Sequence, residues 1–284
     1  MSFRLTTLIE NHPGTDPLLG CEHGLSILIE SPEKTVLLDT GQTGLFLRNA
    51  KILKKDLEAV DQIILSHGHY DHAGGVQSLI RQLHNRPEIW VGDSFFEPKC
   101  CQDRENHYRP NGVDFTLSDL CSLGFPLCFM TEEHLELGGG IHLFRNFPLD
   151  PHQDLSAFHY GKPDYPPDDF RDEIVVGLSM PYGMVVVCGC AHRGILPILQ
   201  TIRQRTGQPI AGIIGGTHLR DAGEPRMIQV IEALQPMSLR LVACSHCTGD
   251  AQAEQLRTAF PDTFFLNRTG SCIEIQKDGI FCQN

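Results

Sequence analysis

Ser66-His67-Gly68-His69-Tyr70-Asp71-His72 is the stretch that decides how this chain is read. Immediately before it, residues 61–65 (Asp-Gln-Ile-Ile-Leu) have the character of a buried strand. Immediately after it, residues 75–83 place Val76, Leu79, Ile80 and Leu83 at helical spacing. The segment thus falls at the C-terminal end of a strand. In extended backbone, side chains two residues apart point the same way, so His67 and His69 can aim at one cation. Asp71 and His72 follow where the chain turns into a helix, and they point to a neighbouring position where a second ion would sit about 3.5–4 Å from the first. One histidine in a loop is ordinary; His-x-His-x-Asp-His directly after an apolar strand is a specific pattern.

Upstream, residues 3–10, 24–30 and 35–39 read as strands and 45–53 as a helix. Downstream of residue 172 a regular rhythm appears. Strands are expected at 174–180, 184–188, 210–214, 240–243 and 263–266, with helices at 195–203, 226–234 and 251–260, before a β-rich tail. The long uncharged run 174–191 has the length of a membrane span, but Pro181-Tyr182-Gly183 divides it into a hairpin. Between the two regular regions, about 95–170 lacks a long periodic helix, is rich in proline and contains Gly138-Gly139-Gly140. It reads as an insertion or lid that builds substrate surface. Phe95, Phe96, Phe125, Phe129, Phe144 and Phe147 make it too aromatic for a typical linker. The whole, 1–284, is expected to be a single α/β domain, a sandwich of two sheets flanked by helices.

Three later strand ends each deliver a histidine: Val185 to His192 (Val-Val-Val-Cys-Gly-Cys-Ala-His), Ile213 to His218 (Ile-Ile-Gly-Gly-Thr-His) and Val242 to His246 (Val-Ala-Cys-Ser-His). Together with His67 to His72 the pattern resembles the metallo-β-lactamase superfamily, whose fold is a four-layer αββα sandwich. The resemblance implies that His192 joins His67 and His69 on one divalent ion, and that His246 joins Asp71 and His72 on a second. It implies zinc, with manganese or iron as rivals, and it puts Asp71 in a catalytic role beside its ligand role. Cys190 stands where the superfamily generally has a bridging aspartate, so either its thiolate bridges the metals or it packs and a solvent species bridges alone. Asp39, at the end of the 35–39 strand, matches an aspartate that fixes a histidine tautomer; a helix N-cap is the alternative. His218 is a candidate catalytic or substrate-contacting residue, with metal binding or a hydrogen-bonded loop position as rivals.

Glu22-His23-Gly24, Gly189-Cys190-Ala191-His192-Arg193-Gly194, Gly215-Gly216-Thr217-His218 and Cys244-Ser245-His246-Cys247-Thr248-Gly249 resemble the branch that includes an archaeal 7,8-dihydropterin-6-methyl-4-(β-D-ribofuranosyl)aminobenzene 5'-phosphate synthase and proteins described as metal-dependent hydrolases. This implies a phosphorylated or diphosphate-bearing small molecule, with either alkyl transfer releasing pyrophosphate or hydrolysis of a phosphoester, thioester or lactone. Glu22 and His23 would line the site or form a solvated turn. Arg193 and Arg220 would supply positive charge, and Gly194 and Gly249, each before a helix, would offer free N–H groups to an anion; tight turns with solvated arginines are the alternative.

Across its 284 residues the chain carries a formal charge of −12 and is 41% hydrophobic. That acidity argues against nucleic acid and anionic membrane as partners, and against RNA-processing relatives. Its partner is expected to be a small anionic substrate, with homo-oligomerisation left open. The first residues lack the apolar run of a signal peptide, and eleven cysteines without an export signal fit reduced thiols, so the expected location is cytoplasmic. A rival reading is a structural or redox protein with a zinc site built from Cys188, Cys190, Cys244 and Cys247. A non-catalytic, ligand-binding member is another.

Overall fold

A computed structural model describes residues 1–284. One sheet contains β1 (Phe3–Ile9), β2 (Ser26–Glu30), β3 (Thr35–Leu38), β4 (Gln62–Ile64), β5 (Glu88–Val91), β8 (Leu127–Phe129), β16 (Cys272–Ile275) and β17 (Ile280–Gln283). Its order is β17-β16-β1-β2-β3-β4-β5-β8. The second contains β9 (His134–Gly138), β10 (Ile141–Phe144), β12 (Val175–Met180), β13 (Gly183–Cys188), β14 (Ile210–Gly216) and β15 (Leu241–Ser245), in the order β15-β14-β13-β12-β10-β9. A small third sheet holds β6 (Lys99–Arg104), β7 (His107–Pro110) and β11 (Phe158–Tyr160), with β6 in the middle.

Both main sheets are covered on both faces, and the sequence shows why. Along β2, Ile27 and Ile29 enter the core between the sheets while Leu28 enters an outer core beneath helices. Along β13, Val185 and Val187 face the inter-sheet core, while Met184, Val186 and Cys188 face the opposite side. Alternation with apolar residues on both faces gives continuous hydrophobic runs. Burying each such side chain contributes about 1.5–3 kcal/mol, and a one-residue slip would exchange the two cores. The outer layers are α1 (Leu45–Ile52), α2 (Tyr70–Ala73), α3 (Val76–Ile80) and α4 (Leu117–Ser122) on one side, and α5 (Ile195–Thr206), α6 (Glu224–Leu234) and α7 (Asp250–Ala259) on the other. The result is the αββα sandwich expected from the motif.

Two sequence expectations need correction. Residues 95–170 are not one irregular insertion: β8 extends the first sheet, β9 and β10 extend the second, and only β6, β7 and β11 stand apart. Residues 263–266 do not form a strand; Phe264 makes only an isolated bridge to Val242. The run 174–191 is the antiparallel hairpin β12–β13, as the Pro-Tyr-Gly turn suggested. No helix is long and apolar enough to cross a membrane.

β3, β4, β5 and β8 run parallel, as do β13, β14 and β15. Their carboxyl ends meet at one edge of the sandwich, where parallel strands commonly present ligand-binding loops.

Candidate metal centre

The loop after β4 supplies His67 and His69, and the short helix α2 that follows supplies Asp71 and His72. The loop after β13 supplies Cys190 and His192, and the end of β15 supplies His246. All seven are buried. His67 Nε2 lies 3.1 Å from His69 Nδ1 and 3.2 Å from His192 Nε2, so three imidazole nitrogens converge on one point. His72 Nε2 lies 3.0 Å from His246 Nε2, 3.2 Å from Cys190 Sγ and 3.7 Å from Asp71 Oδ2, and His246 Nε2 is 3.3 Å from Asp71 Oδ2. Cys190 also groups with His67 and His72, which puts its sulfur on the boundary between the two donor sets.

At His67, His72 and His246, hydrogen bonds on the far side of the ring turn the other nitrogen toward the centre. Ser66 donates its hydroxyl to Asp39 Oδ2 (2.7 Å) and its N–H to Asp39 Oδ1 (2.7 Å), so the His67 Nδ1–H donates to Ser66 Oγ (2.9 Å). The His72 Nδ1–H donates to the same Asp39 Oδ2 at 2.7 Å, and the His246 Nδ1–H to Asn11 Oδ1 at 3.0 Å. With Nδ1 so engaged, each of these rings turns its Nε2 inward, the nitrogen that binds a cation once it carries no proton. Burial is the largest cause that drives His67, His69 and His192 well below the ordinary histidine pKa, so these three rings are neutral. For His72 burial acts in the same direction, but the carboxylates of Asp71 and Asp39 outweigh it and hold the pKa up at about 9. For Asp71 burial alone would raise the pKa, yet His72, His23 and His246 hold it well below the usual carboxylate range.

Backbone anchors fix the loops. Glu173 accepts the N–H groups of His192 (2.6 Å) and Arg193 (2.9 Å), Glu10 accepts the N–H of His246 (2.6 Å), and Asp172 accepts that of Gly68 (2.7 Å). Asp172 in turn shares the buried ammonium of Lys99 with Asp168, at 3.1 and 2.6 Å. Close approach explains two glycines: a Cβ at Gly189 would lie 2.2 Å from Ser66 Oγ, and one at Gly68 would lie 2.3 Å from the Phe95 carbonyl oxygen. Phe170 stacks on His192 with ring centroids 3.9 Å apart, and Phe158 stacks on His69 at 5.4 Å. On the other side His23, about half exposed, brings Nε2 to 3.2 Å from Asp71 Oδ2.

Most of the residues singled out from the sequence come together here, including Asp39, which buries its carboxylate between His72 and Ser66 rather than capping a helix. His218 lies at the end of β14 with its ring 4.3 Å from that of His192. Four expectations change. The Glu22 carboxylate accepts the N–H groups of Gln42 and Thr43 and the Thr43 hydroxyl, so it clamps a loop instead of facing the histidines. The Arg193 guanidinium is committed to the carbonyls of Phe147 and Asp169, and the Gly194 N–H to that of Ala191 (2.9 Å); neither is free for an anion. Arg220 is exposed and reaches only the His246 carbonyl, at 3.4 Å, while Gly249 sits at the N-terminus of α7 with φ 82°. The four-cysteine zinc site does not form, because Cys188 and Cys244 pack into the outer core, away from Cys190 and Cys247. Sequence reasoning missed Glu10, Asn11, Phe158, Phe170, Asp172 and Glu173.

Three buried neutral imidazoles, and a second set combining carboxylate, imidazole and thiol, fit divalent cations of the zinc or iron type. Comparison with known proteins gives the same direction. Residues 19–114 match the family model described as Metallo-beta-lactamase superfamily. A 7,8-dihydropterin-6-methyl-4-(beta-D-ribofuranosyl)-aminobenzene-5'-phosphate synthase from Methanocaldococcus jannaschii is 26% identical, over 96% of this chain and 97% of its own length. The crystal structure of Tm1679, described as a metal-dependent hydrolase of the beta-lactamase superfamily, superposes with a TM-score of 0.82 at 26% identity, covering 96% of this chain and 98% of its own. A diphosphatase from the PhnP family shares the fold at a TM-score of 0.52 and 14% identity, over 96% of this chain and 97% of its own.

Proposed function

We propose that this chain is a member of the metallo-β-lactamase superfamily, as the family-model match and the likeness to Tm1679 support, and a dinuclear metal enzyme acting on a phosphorylated or diphosphate-bearing small molecule. The observation that carries the reading is the pair of adjoining donor sets, with Nε2 of His67, His72 and His246 each turned inward by a hydrogen bond on the far side of its ring. His67, His69 and His192 would hold one ion, and Asp71, His72 and His246 the other, with Cys190 between them. Bound there, divalent cations supply a hydroxide at neutral pH and neutralise charge on a phosphate leaving group. Asp39, Ser66 and Asn11 keep the rings oriented, while Phe158 and Phe170 exclude water from the His192 side. Substrate would enter past His23, with His218 and Arg220 at the margins of the site as contacts for its anionic groups.

Alkyl transfer with release of pyrophosphate is the form of the reaction favoured by the full-length similarity to the M. jannaschii synthase; hydrolysis is the rival supported by the likeness to Tm1679. Elemental analysis of the purified protein should find two divalent ions per chain, zinc foremost. Turnover should then be assayed on a pterin methyl diphosphate with an aromatic amine acceptor, and on phosphodiesters, phosphomonoesters, thioesters and lactones. Pyrophosphate release that depends on the amine identifies the transferase, and release without it identifies a hydrolase. A protein that holds no metal and turns over none of these with added zinc, manganese or iron is not an enzyme of this kind.

A further inference from the structure

Cys190 belongs to two groups of donors. With His67 and His72 it borders the histidine centre; with His218 and Cys247 it forms another group whose ligand atoms all lie within 4.8 Å of one another. Cys247 follows His246 at the end of β15, and both thiols are buried. His218, at the end of β14, is held at φ 51°, and its backbone N–H donates to Cys247 Sγ at 3.3 Å. A left-handed conformation at a non-glycine residue costs energy and persists where surrounding structure imposes it. Nδ1 of the same His218 is buried without a hydrogen-bond partner, an unmet polar demand that a bound ligand would satisfy. The backbone leaves room for the sulfurs: a Cβ at Gly216 would lie 2.6 Å from Cys247 Sγ and 3.1 Å from Cys190 Cα.

We propose that Cys190, His218 and Cys247 form a third cation position beside the histidine centre, taking a soft divalent ion of the zinc type. Two sulfurs and one imidazole favour zinc over magnesium or manganese, and three protein donors leave a fourth place open to solvent or substrate. Both thiols lose their protons to solvent as the ion binds. Neither His218 nor Cys247 contributes to the His67–His69–His192 or His23–Asp71–His246 groups, so the position can be emptied separately. It goes beyond the proposed reaction, shares Cys190 with the histidine centre, and is read out through His218 and Cys247, which neither histidine set uses.

The test uses the full chain, stripped with a chelator and reloaded with Co²⁺, and reads cobalt content together with the sulfur-to-cobalt charge-transfer absorption. Cys247→Ser and His218→Ala should each lose about one cobalt per chain and, with that ion, most of the charge-transfer intensity that the two thiolates supply. Cys244→Ser should change neither quantity. His67→Ala should lose cobalt yet keep the charge-transfer absorption. Unchanged cobalt content and absorption in both Cys247→Ser and His218→Ala would overturn the third position, while leaving the histidine centre to be judged by His67→Ala alone. Far-UV circular dichroism identifies a variant that has not folded; if Cys247→Ser is one, His218→Ala decides.

Discussion

His67, His69 and His192 form a set of neutral rings behind the aromatic wall of Phe158 and Phe170. Asp71, His72 and His246 instead bring an ionised carboxylate and a proton-holding imidazole, and they open to solvent past His23. The difference teaches that identical side chains acquire separate duties from what lies behind them. A dry neutral set holds its ion by geometry, whereas the charged set must release a proton from His72 before an ion enters, so its occupancy should weaken as pH falls.

The severest way to break this contrast is to empty each set alone. His192→Ala and His246→Ala should each lose about one cation and at least about 10³-fold in turnover of the substrate the assay identifies, because paired ions act together. Full activity in either variant would mean that one ion suffices. A second test addresses the support behind the neutral set. Burial pushes Glu173 up to about 7, and a raised carboxyl pKa stabilises the fold fully below the unfolded value near 4.5 and loses that contribution as pH rises through 7. The buried neutral histidines tilt the whole-protein slope the other way, so the Glu173 share is read as a difference: across that window urea denaturation of the metal-stripped protein should show the wild type losing about 3 kcal/mol relative to Glu173→Gln. A variant with the unchanged slope would place the titration elsewhere.

On the charged set, Asp39→Asn should weaken cation binding by about 10–100-fold, measured by competition with a chromophoric chelator, because it disturbs the hydrogen bond that fixes the His72 tautomer. The smallest effect is expected for Arg220→Ala, about a three- to fivefold rise in KM without change in kcat, since this guanidinium is exposed. A loss in kcat instead would bring Arg220 into the chemistry.

Much of this centre was legible in the chain because a strand followed by closely spaced ligands is a local signal: His67 to His72 announce it, and three further strand ends each carry their histidine. Asp39 was readable for the same reason. Glu10, Asn11, Asp172 and Glu173 were not, since each is a common polar residue whose meaning lies in a backbone N–H far away in sequence. The one available hint was Asp172-Glu173, two adjacent carboxylates just before an apolar strand. Phe158 escaped because it sits on β11, a strand of three residues whose place depends wholly on pairing with β6. Short strands also explain why 95–170 read as irregular: β8 has three residues and β10 four, too few for a period to emerge. Phe264 and its neighbours have strand-forming side chains, but tertiary packing leaves them a single bridge rather than a ladder.

The proposed ligands lie far apart along the chain: His67 and His192 are separated by 125 positions and His72 and His246 by 174. An ion held by either pair would therefore be a removable cross-link. A permanent link closing a loop of about 100 residues restricts the unfolded chain by roughly 4–5 kcal/mol. Under mechanical tension the two ions would act as rivets between the first and last thirds of the molecule, and the force needed to part them would rise and fall with the supply of free metal.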